Sequence, residues 1–332
     1  MKRISSLWKH PYIGRVGILL IAIALVVGVL SCINPINPYL TMTVIPVGGG
    51  TTTPPSGPQI AGASVRITAS ALDNYQFASW NATMGTFGFP INIPINFAIM
   101  PNIDSGFTAY FVKGDHFKCY TVVNSSYIGK VVSLKDQFVT VNATVTWAQF
   151  FGNPAQKLHN NVTTNISNPN NHLTVYNITT GSEPQTWQVE VVNQFGVQNL
   201  IVSGPVALAV PTWKLTPGNH TPPVGLDHFL LYKVIGGYMN VTVGLNDEFD
   251  KETQVLIYRP LFFANPVQKT YGDGVTNITD NETHLVFYGI EAGNFWQVVQ
   301  VNNQFGNQTL LVGNPALLAV PSLKLSWQLP HP

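Results

Sequence analysis

The chain has 332 residues, of which 45% are hydrophobic, 11% aromatic and only 9% charged. Ordinary soluble domains carry about 25% charged residues, so this surface must be polar without being ionic. A formal net charge of +1 excludes a nucleic-acid binder working through a basic field, and two cysteines exclude a disulfide-dense scaffold or a Cys-rich zinc protein.

Residues 1–15 hold Lys2, Arg3, Lys9 and Arg15 and no acid, and residues 16–33 are an uncharged, almost wholly apolar run. As a helix at about 1.5 Å per residue, that run just spans a hydrocarbon core of about 30 Å. The basic flank predicts a cytoplasmic tail (1–15), a single-pass transmembrane helix (16–33) and export of the rest to the cell surface. An alternative is a cleaved signal. Val29-Leu30-Ser31-Cys32 is similar to a lipoprotein signal box, which would make Cys32 a lipid anchor. The run exceeds the usual apolar stretch of about 7–15 residues in a signal peptide, which favours the uncleaved anchor.

Residues 39–47 alternate strand formers, Gly48-Gly49-Gly50 makes a turn, and residues 64–69 alternate again. Tyr75, Phe77 and Trp80 supply apolar bulk, and Thr108-Ala109-Tyr110-Phe111 closes a small all-β unit over 39–112. The order strand, Gly-Gly-Gly, residues 61–69, Tyr75-x-Phe77-x-x-Trp80 and final Thr-Ala-Tyr-Phe resembles the divergent internalin-type B-repeat. That resemblance implies a β-grasp-like fold in a surface protein, with no catalytic activity.

The remainder is repetitive. Asp115-His116-Phe117 matches Asp227-His228-Phe229, Asn193-Gln194-Phe195-Gly196 matches Asn303-Gln304-Phe305-Gly306, and Ala209-Val210-Pro211 matches Ala319-Val320-Pro321. Residues 115–215 and 227–325 are therefore tandem copies, joined by a Pro-rich linker at 216–226. Each copy splits again, into half-units 115–158, 171–215, 227–269 and 283–325. His116, His172, His228 and His284 stand 56 residues apart, as do Tyr120, Tyr176, Tyr232 and Tyr288. The repeating unit reads His-x-x-x-Tyr, strand, Asp/Asn-Gln-Phe, strand, Pro-x-x-Lys. Strand formers dominate every copy, and Gly196 and Gly306 suit hairpin turns. The expected fold class is all-β: an N-terminal transmembrane helix, one small β-grasp-like domain, then two tandem β-sandwich-like domains.

The tandem copies resemble an uncharacterised prokaryotic surface domain family with a DHFxCYxV opening, an NQFG turn and a VPSxK close. Asp115-His116-Phe117-x-Cys119-Tyr120-x-Val122 and Val320-Pro321-Ser322-x-Lys324 carry the likeness. That family often has further cysteines. Here the opening position becomes Val175, Leu231 and Phe287, and the closing one is Gly152, Ala209, Ala264 and Ala319. The resemblance thus implies a buried pair whose disulfide was given up, leaving Cys119 a lone buried thiol.

Equivalent histidines in repeats occupy separate places, whereas metal ligands must converge, so the spaced His and Tyr read as structural and no metal or other cofactor is expected. Asp247-Glu248 with Asp250, and Asp273 with Asp280 and Glu282, are a minor calcium option without EF-hand spacing. N-glycosylation sequons occur at Asn81, Asn124, Asn142, Asn161, Asn165, Asn177, Asn219, Asn240, Asn277, Asn281 and Asn307, 11 in all among 30 Asn and 45 Ser+Thr. Chance placement would give roughly 4, so the excess favours a glycosylated surface.

No nucleophile elbow, P-loop, zincin helix or dinucleotide fingerprint is present. The reading is a non-catalytic cell-surface protein with a structural or adhesive role, held to the membrane through residues 16–33. Its partner is an envelope polymer or neighbouring surface protein, with no nucleic acid. The alternative is an envelope-bound carbohydrate- or peptide-binding module whose Trp147, Trp187 and Trp296 line a groove. An exposed aromatic row would favour that alternative, and tryptophans in the core the first reading. The low ionisable content also suits an acidic or otherwise harsh medium.

Overall fold

The computed structural model describes residues 37–216 and 221–329. Every regular element among them is a strand, and no helix there is long and apolar enough to cross a membrane. The fold class is corrected accordingly: all-β, with no helix among the described residues. The cytoplasmic tail at 1–15, the transmembrane helix expected at 16–33, Cys32 and part of the linker lie outside the described residues.

The first eight strands are β1 (Tyr39–Ile45), β2 (Gly50–Thr53), β3 (Gly57–Pro58), β4 (Ser64–Ala71), β5 (Tyr75–Ala82), β6 (Thr86–Phe87), β7 (Ile95–Ile99) and β8 (Ser105–Lys113). They form two four-stranded sheets, ordered β3-β1-β8-β5 and β2-β4-β7-β6. Alternation turns Leu40, Ile67, Trp80, Phe107 and Phe111 into one core. Gly50 is required where the chain crosses the Phe111 ring, since a Cβ there would overlap it.

Fifteen strands follow. Unit 1 has an opening strand β9 (His116–Asn124), a hairpin strand β10 (Lys130–Lys135) and a long strand β11 (Thr140–His159), with β12 (Val162–Thr164) beyond it. Unit 2 repeats this as β13 (His172–Thr180), β14 (Gln185–Asn193) and β15 (Gly196–Thr216). Unit 3 has β16 (Phe229–Ile235), β17 (Val241–Asn246) and β18 (Lys251–Pro266), extended by β19 (Gln268–Tyr271) and β20 (Gly274–Thr276). Unit 4 has β21 (Thr283–Glu291), β22 (Gln297–Asn303) and β23 (Gly306–Gln328).

Each opening strand lies between the long strand of its own unit and that of the preceding unit. The order is β9-β11-β13-β15-β16-β18-β21-β23 and back to β9, antiparallel throughout. The four units therefore close an eight-stranded barrel, which has no edge left to pair. The hairpin strands cover its outside and tie opposite units together. β10 pairs β19 and β17 pairs β11, while β14 pairs β23 and β22 pairs β15. The two expected tandem sandwich-like domains are thus corrected to one interwoven body, with two apolar cores that each run through both halves. The physical reason is that each half of two units leaves its outer strand edges unpaired, and the other half covers them: β16 pairs β15 and β23 pairs β9.

An eight-stranded barrel is about wide enough for side chains to fill. Here each large residue faces a small one across the ladder: Cys119 opposite Gly152, Val175 opposite Ala209, Leu231 opposite Ala264 and Phe287 opposite Ala319. A Cβ at Gly152 would lie 3.1 Å from Cys119 Sγ. An S–S bond of about 2.05 Å holds a Cβ roughly 3 Å from the far sulfur. Gly152→Cys is therefore expected to oxidise onto Cys119 and raise stability by about 3–4 kcal/mol. The measurement is a thiol titration with denaturant melts under oxidising and reducing conditions; a variant in which Cys119 and the new residue 152 both stay free thiols defeats the expectation.

The N-terminal unit meets the barrel where the opening strands begin. β8 passes through Gly114 into β9, and Ala78, Tyr110 and Val112 pack on Val192 beside Leu323 and Leu325. The other end of the barrel, where the opening strands finish, is termed the distal rim.

Candidate functional site

The residues that recur in every unit meet at joints between units. Tyrosine hydroxyls reach the turn of the unit two along. Tyr120 Oη donates to Asp247 at 2.9 and 3.0 Å, and Tyr232 Oη donates to Asp136 at 2.8 Å. Tyr176 and Tyr288 instead accept from Asn303 and Asn193, each at 2.8 Å. The second partner changes with the first. Asn153 and Asn265 donate to the Asp carboxylates at 3.2 and 3.0 Å, whereas the Asn amides donate to Thr212 and Ser322 at 3.1 and 2.9 Å. Every buried polar atom so paired escapes the cost of burial without a partner.

The turn Phe and its Gln/Glu neighbour receive residues from the preceding unit. Lys157 lies over Phe195 at 5.3 Å, Lys214 over Phe249 at 4.9 Å, Lys269 over Phe305 at 5.8 Å and Lys324 over Phe138 at 4.8 Å. Gln304 Nε2 lies 2.8 Å from His228 Nε2, and Glu248 lies 3.8 Å from His172 Nε2 while also pairing with Lys214. His172 and His284 set Nδ1 at 3.0 and 2.8 Å from the carbonyls of Asn170 and Glu282, and stack on Phe151 and Phe263. The four histidines stand at four separate joints. Among the described residues no group of three or more His, Cys, Asp or Glu could hold a metal ion.

Both acidic clusters engage protein partners. Asp247 takes Tyr120 and Asn153, Asp250 and Glu252 face Lys118, and Asp280 accepts from Thr283 and the Glu282 amide.

Burial sets the ionisation of the joints. It holds His228 and His284 down at about 3, with Lys269 and Lys324 facing them, and holds His116 well below the free value, with Lys157 facing it. Burial likewise lowers His159 to about 4, Lys157 to about 7, and Lys269 and Lys324 to about 8. Burial also pushes the Cys119 thiol up, far from the thiolate that nucleophilic chemistry needs.

Asn81, Asn124, Asn142, Asn161, Asn165, Asn240, Asn277, Asn281 and Asn307 are exposed, Asn177 is half-buried, and Asn219 lies outside the described residues.

The three tryptophans part company. Trp187 is 1% exposed and stacks on Phe138, but Trp147 is 51% and Trp296 62% exposed. Both exposed rings stand at the distal rim, on either side of the end of β9. Trp147 packs on Tyr127 at 4.9 Å, and Trp296 lies over Gly313, next to Thr121 and Val123. A cleft of about 690 Å³ continues around the same rim. Val206, Leu261 and Phe262 line its apolar part, Gln149, Asn177 and Ser203 its polar part, and Lys233 and Arg259 supply two cations.

Here the fourfold repeat is broken. The position of Lys233 holds Thr121, Asn177 and Gly289 in the other units, and that of Arg259 holds Trp147, Gly204 and Asn314. What the barrel needs for closure recurs in each unit, while the rim differs in each. Sequence reasoning named Trp147 and Trp296 but missed Lys233, Arg259 and the cleft, although writing the four units one beneath another exposes both cations.

The geometry defines a tandem-repeat β protein, a fourfold barrel behind a small two-sheet unit. Residues 94–210 and 188–321 match the family described as "Repeat of unknown function (DUF7450)", and the chain belongs to it. Residues 40–115 match the divergent InlB B-repeat domain, so both resemblances drawn from the sequence hold. The two repeat matches overlap within β14 and β15. Neither the curated proteins nor the solved structures contain a match.

Proposed function

We propose that the chain is an adhesive module of the cell surface, acting without catalysis: the N-terminal unit and the barrel wall give rigid reach, and the distal rim makes the contact. The supporting observation is that the unit-to-unit repetition persists at every joint and lapses at the rim, where Trp147 and Trp296 are exposed; that exposure favours the carbohydrate- or peptide-binding form of the role, while Trp187 lies in the core. Large aromatics left in water on a rigid β frame are the usual anchors of binding surfaces. The match to the divergent InlB B-repeat domain and the exposed sequons support a surface setting.

The test is binding of the purified full chain to isolated cell envelopes, compared with the Trp147→Ala/Trp296→Ala variant. Both rings are exposed, so the variant should melt within about 0.5 kcal/mol of the parent and bind at least tenfold more weakly. Unchanged binding by the variant, or none by the parent, would refute the reading. Intact mass before and after deglycosylation tests the sequons, with a glycan excess expected.

A further inference from the structure

We infer that the distal cleft binds a carboxylated saccharide, a uronate-containing stretch of an envelope polymer. This rests on the adhesive reading above and names its ligand class.

The cleft has the size of a small-ligand site, which typically spans about 300–1,000 Å³. Its apolar side, Val206, Leu261 and Phe262, offers surface for the C–H face of a sugar ring. Gln149, Asn177 and Ser203 place amide and hydroxyl groups at the rim, both donors and acceptors, as ring hydroxyls require.

Lys233 and Arg259 set the charge of the ligand. Both line the cleft, and neither forms an ion pair among the described residues. In a chain with so few charges this placement is selective. The lysines at 157, 214, 269 and 324 are drawn into the joints over aromatic rings, whereas these two cations project at the cleft. No joint uses them, and no other unit carries a cation at either position. Arg259 presents the planar fork that grips a carboxylate through two hydrogen bonds, and Lys233 adds a point charge. Trp147, two residues before Gln149 on β11, extends the surface for a polymer longer than the cleft.

The experiment uses the full chain and three probes: an oligogalacturonate, its fully methyl-esterified form and poly-glutamate. Oligogalacturonate should bind, esterification should weaken binding at least tenfold, and raising salt from about 50 to 500 mM should weaken it too. Lys233→Gln/Arg259→Gln should lose binding at least tenfold with an unchanged melting temperature, both side chains being exposed. Equal binding of the ester would leave aromatic contact alone and overturn the inference. Equal binding of poly-glutamate would leave charge alone and overturn it as well. If envelopes bind in a Trp147- and Trp296-dependent way while oligogalacturonate does not, the ligand class fails and the adhesive reading stands. If envelopes do not bind either, the adhesive reading itself fails. Peptide mapping adds an independent readout: Asn177 lines the cleft, so it should be found unmodified, and a glycan there would fill the site.

Discussion

Replacing Lys118 by leucine should cost the protein about 3–5 kcal/mol, and replacing Glu252 by valine in the same chain should recover most of that loss. Lys118 is the charged exception at its position in the repeat: the equivalent residues are Thr174, Leu230 and Val286. Its side chain is 0% exposed and its ammonium lies 2.5 Å from Glu252, itself 15% exposed, and 3.9 Å from Asp250. Removing one member strands the other in a poorly hydrated place. At the opposite joint, the counterparts of Lys118 and Glu252 are Leu230 and Val141, both packed into the shared core. Lys118→Leu/Glu252→Val therefore installs on one side of the barrel an arrangement that the other side already carries. The double variant should stay about 1 kcal/mol short of the parent, because Glu252 also accepts from the Gly293 amide at 2.5 Å. Denaturant melts of the four chains give the coupling energy directly. Additive single effects below about 1 kcal/mol would show that the pair is solvated after all.

Much of this design is legible in the chain, and the rest fails for identifiable reasons. The 56-residue spacing and the Gly196 and Gly306 turns, with φ of 92° and 96°, follow from residue type and period alone, and the large-small pairs at 119/152 and 175/209 from the family resemblance. Closure does not. The pairing of Leu318 with Lys118 joins residues 200 positions apart, and no local pattern tells it from closure within each half. An alternating strand buries one face equally well in a sandwich or in a barrel wall. The tryptophans were within reach, however. Trp187 stands six residues before the turn Asn193, and Trp296 seven before Asn303. With a side-chain period of two, that single offset sends one ring to the core and the other to water.

Acid should unfold this protein, and mild alkali, below the range near pH 10 where free tyrosine ionises, should stabilise it. A chain with few ionisable groups invites the opposite expectation, of indifference to pH, but the groups it does have are placed where titration matters. His228 and His284 are held at about 3, and His116 is held well below its free value. The unfolded chain takes up those protons near pH 6.5 and the folded chain does not, so between about pH 6.5 and 3 the unfolded state binds more protons. Stability present above pH 6.5 is therefore lost on acidification, at about 1.4 kcal/mol per pH unit for each such histidine. With His228 and His284 alone, two pH units remove roughly 4–5 kcal/mol, a large part of the 5–15 kcal/mol typical of domains. Asp247, whose carboxyl burial pushes up, works in the opposite direction but as one group against several. The lysines extend the slope upward. Lys157 at about 7 and Lys269 and Lys324 at about 8 deprotonate in the fold before they do in the unfolded chain near 10.4. Stability should thus climb from pH 7 towards 10, less steeply than the histidine limb because the Phe faces at the joints favour the charged ammonium. Denaturant melts at pH 4, 5.5, 7 and 9.5 give the profile, and its slope gives the proton uptake. In His228→Asn/His284→Asn the uptake below pH 6 should fall by about two protons, whatever the change in absolute stability. A flat profile, or a maximum on the acid side, would mean that these joints admit water and that the barrel is less tightly closed than its pairing implies.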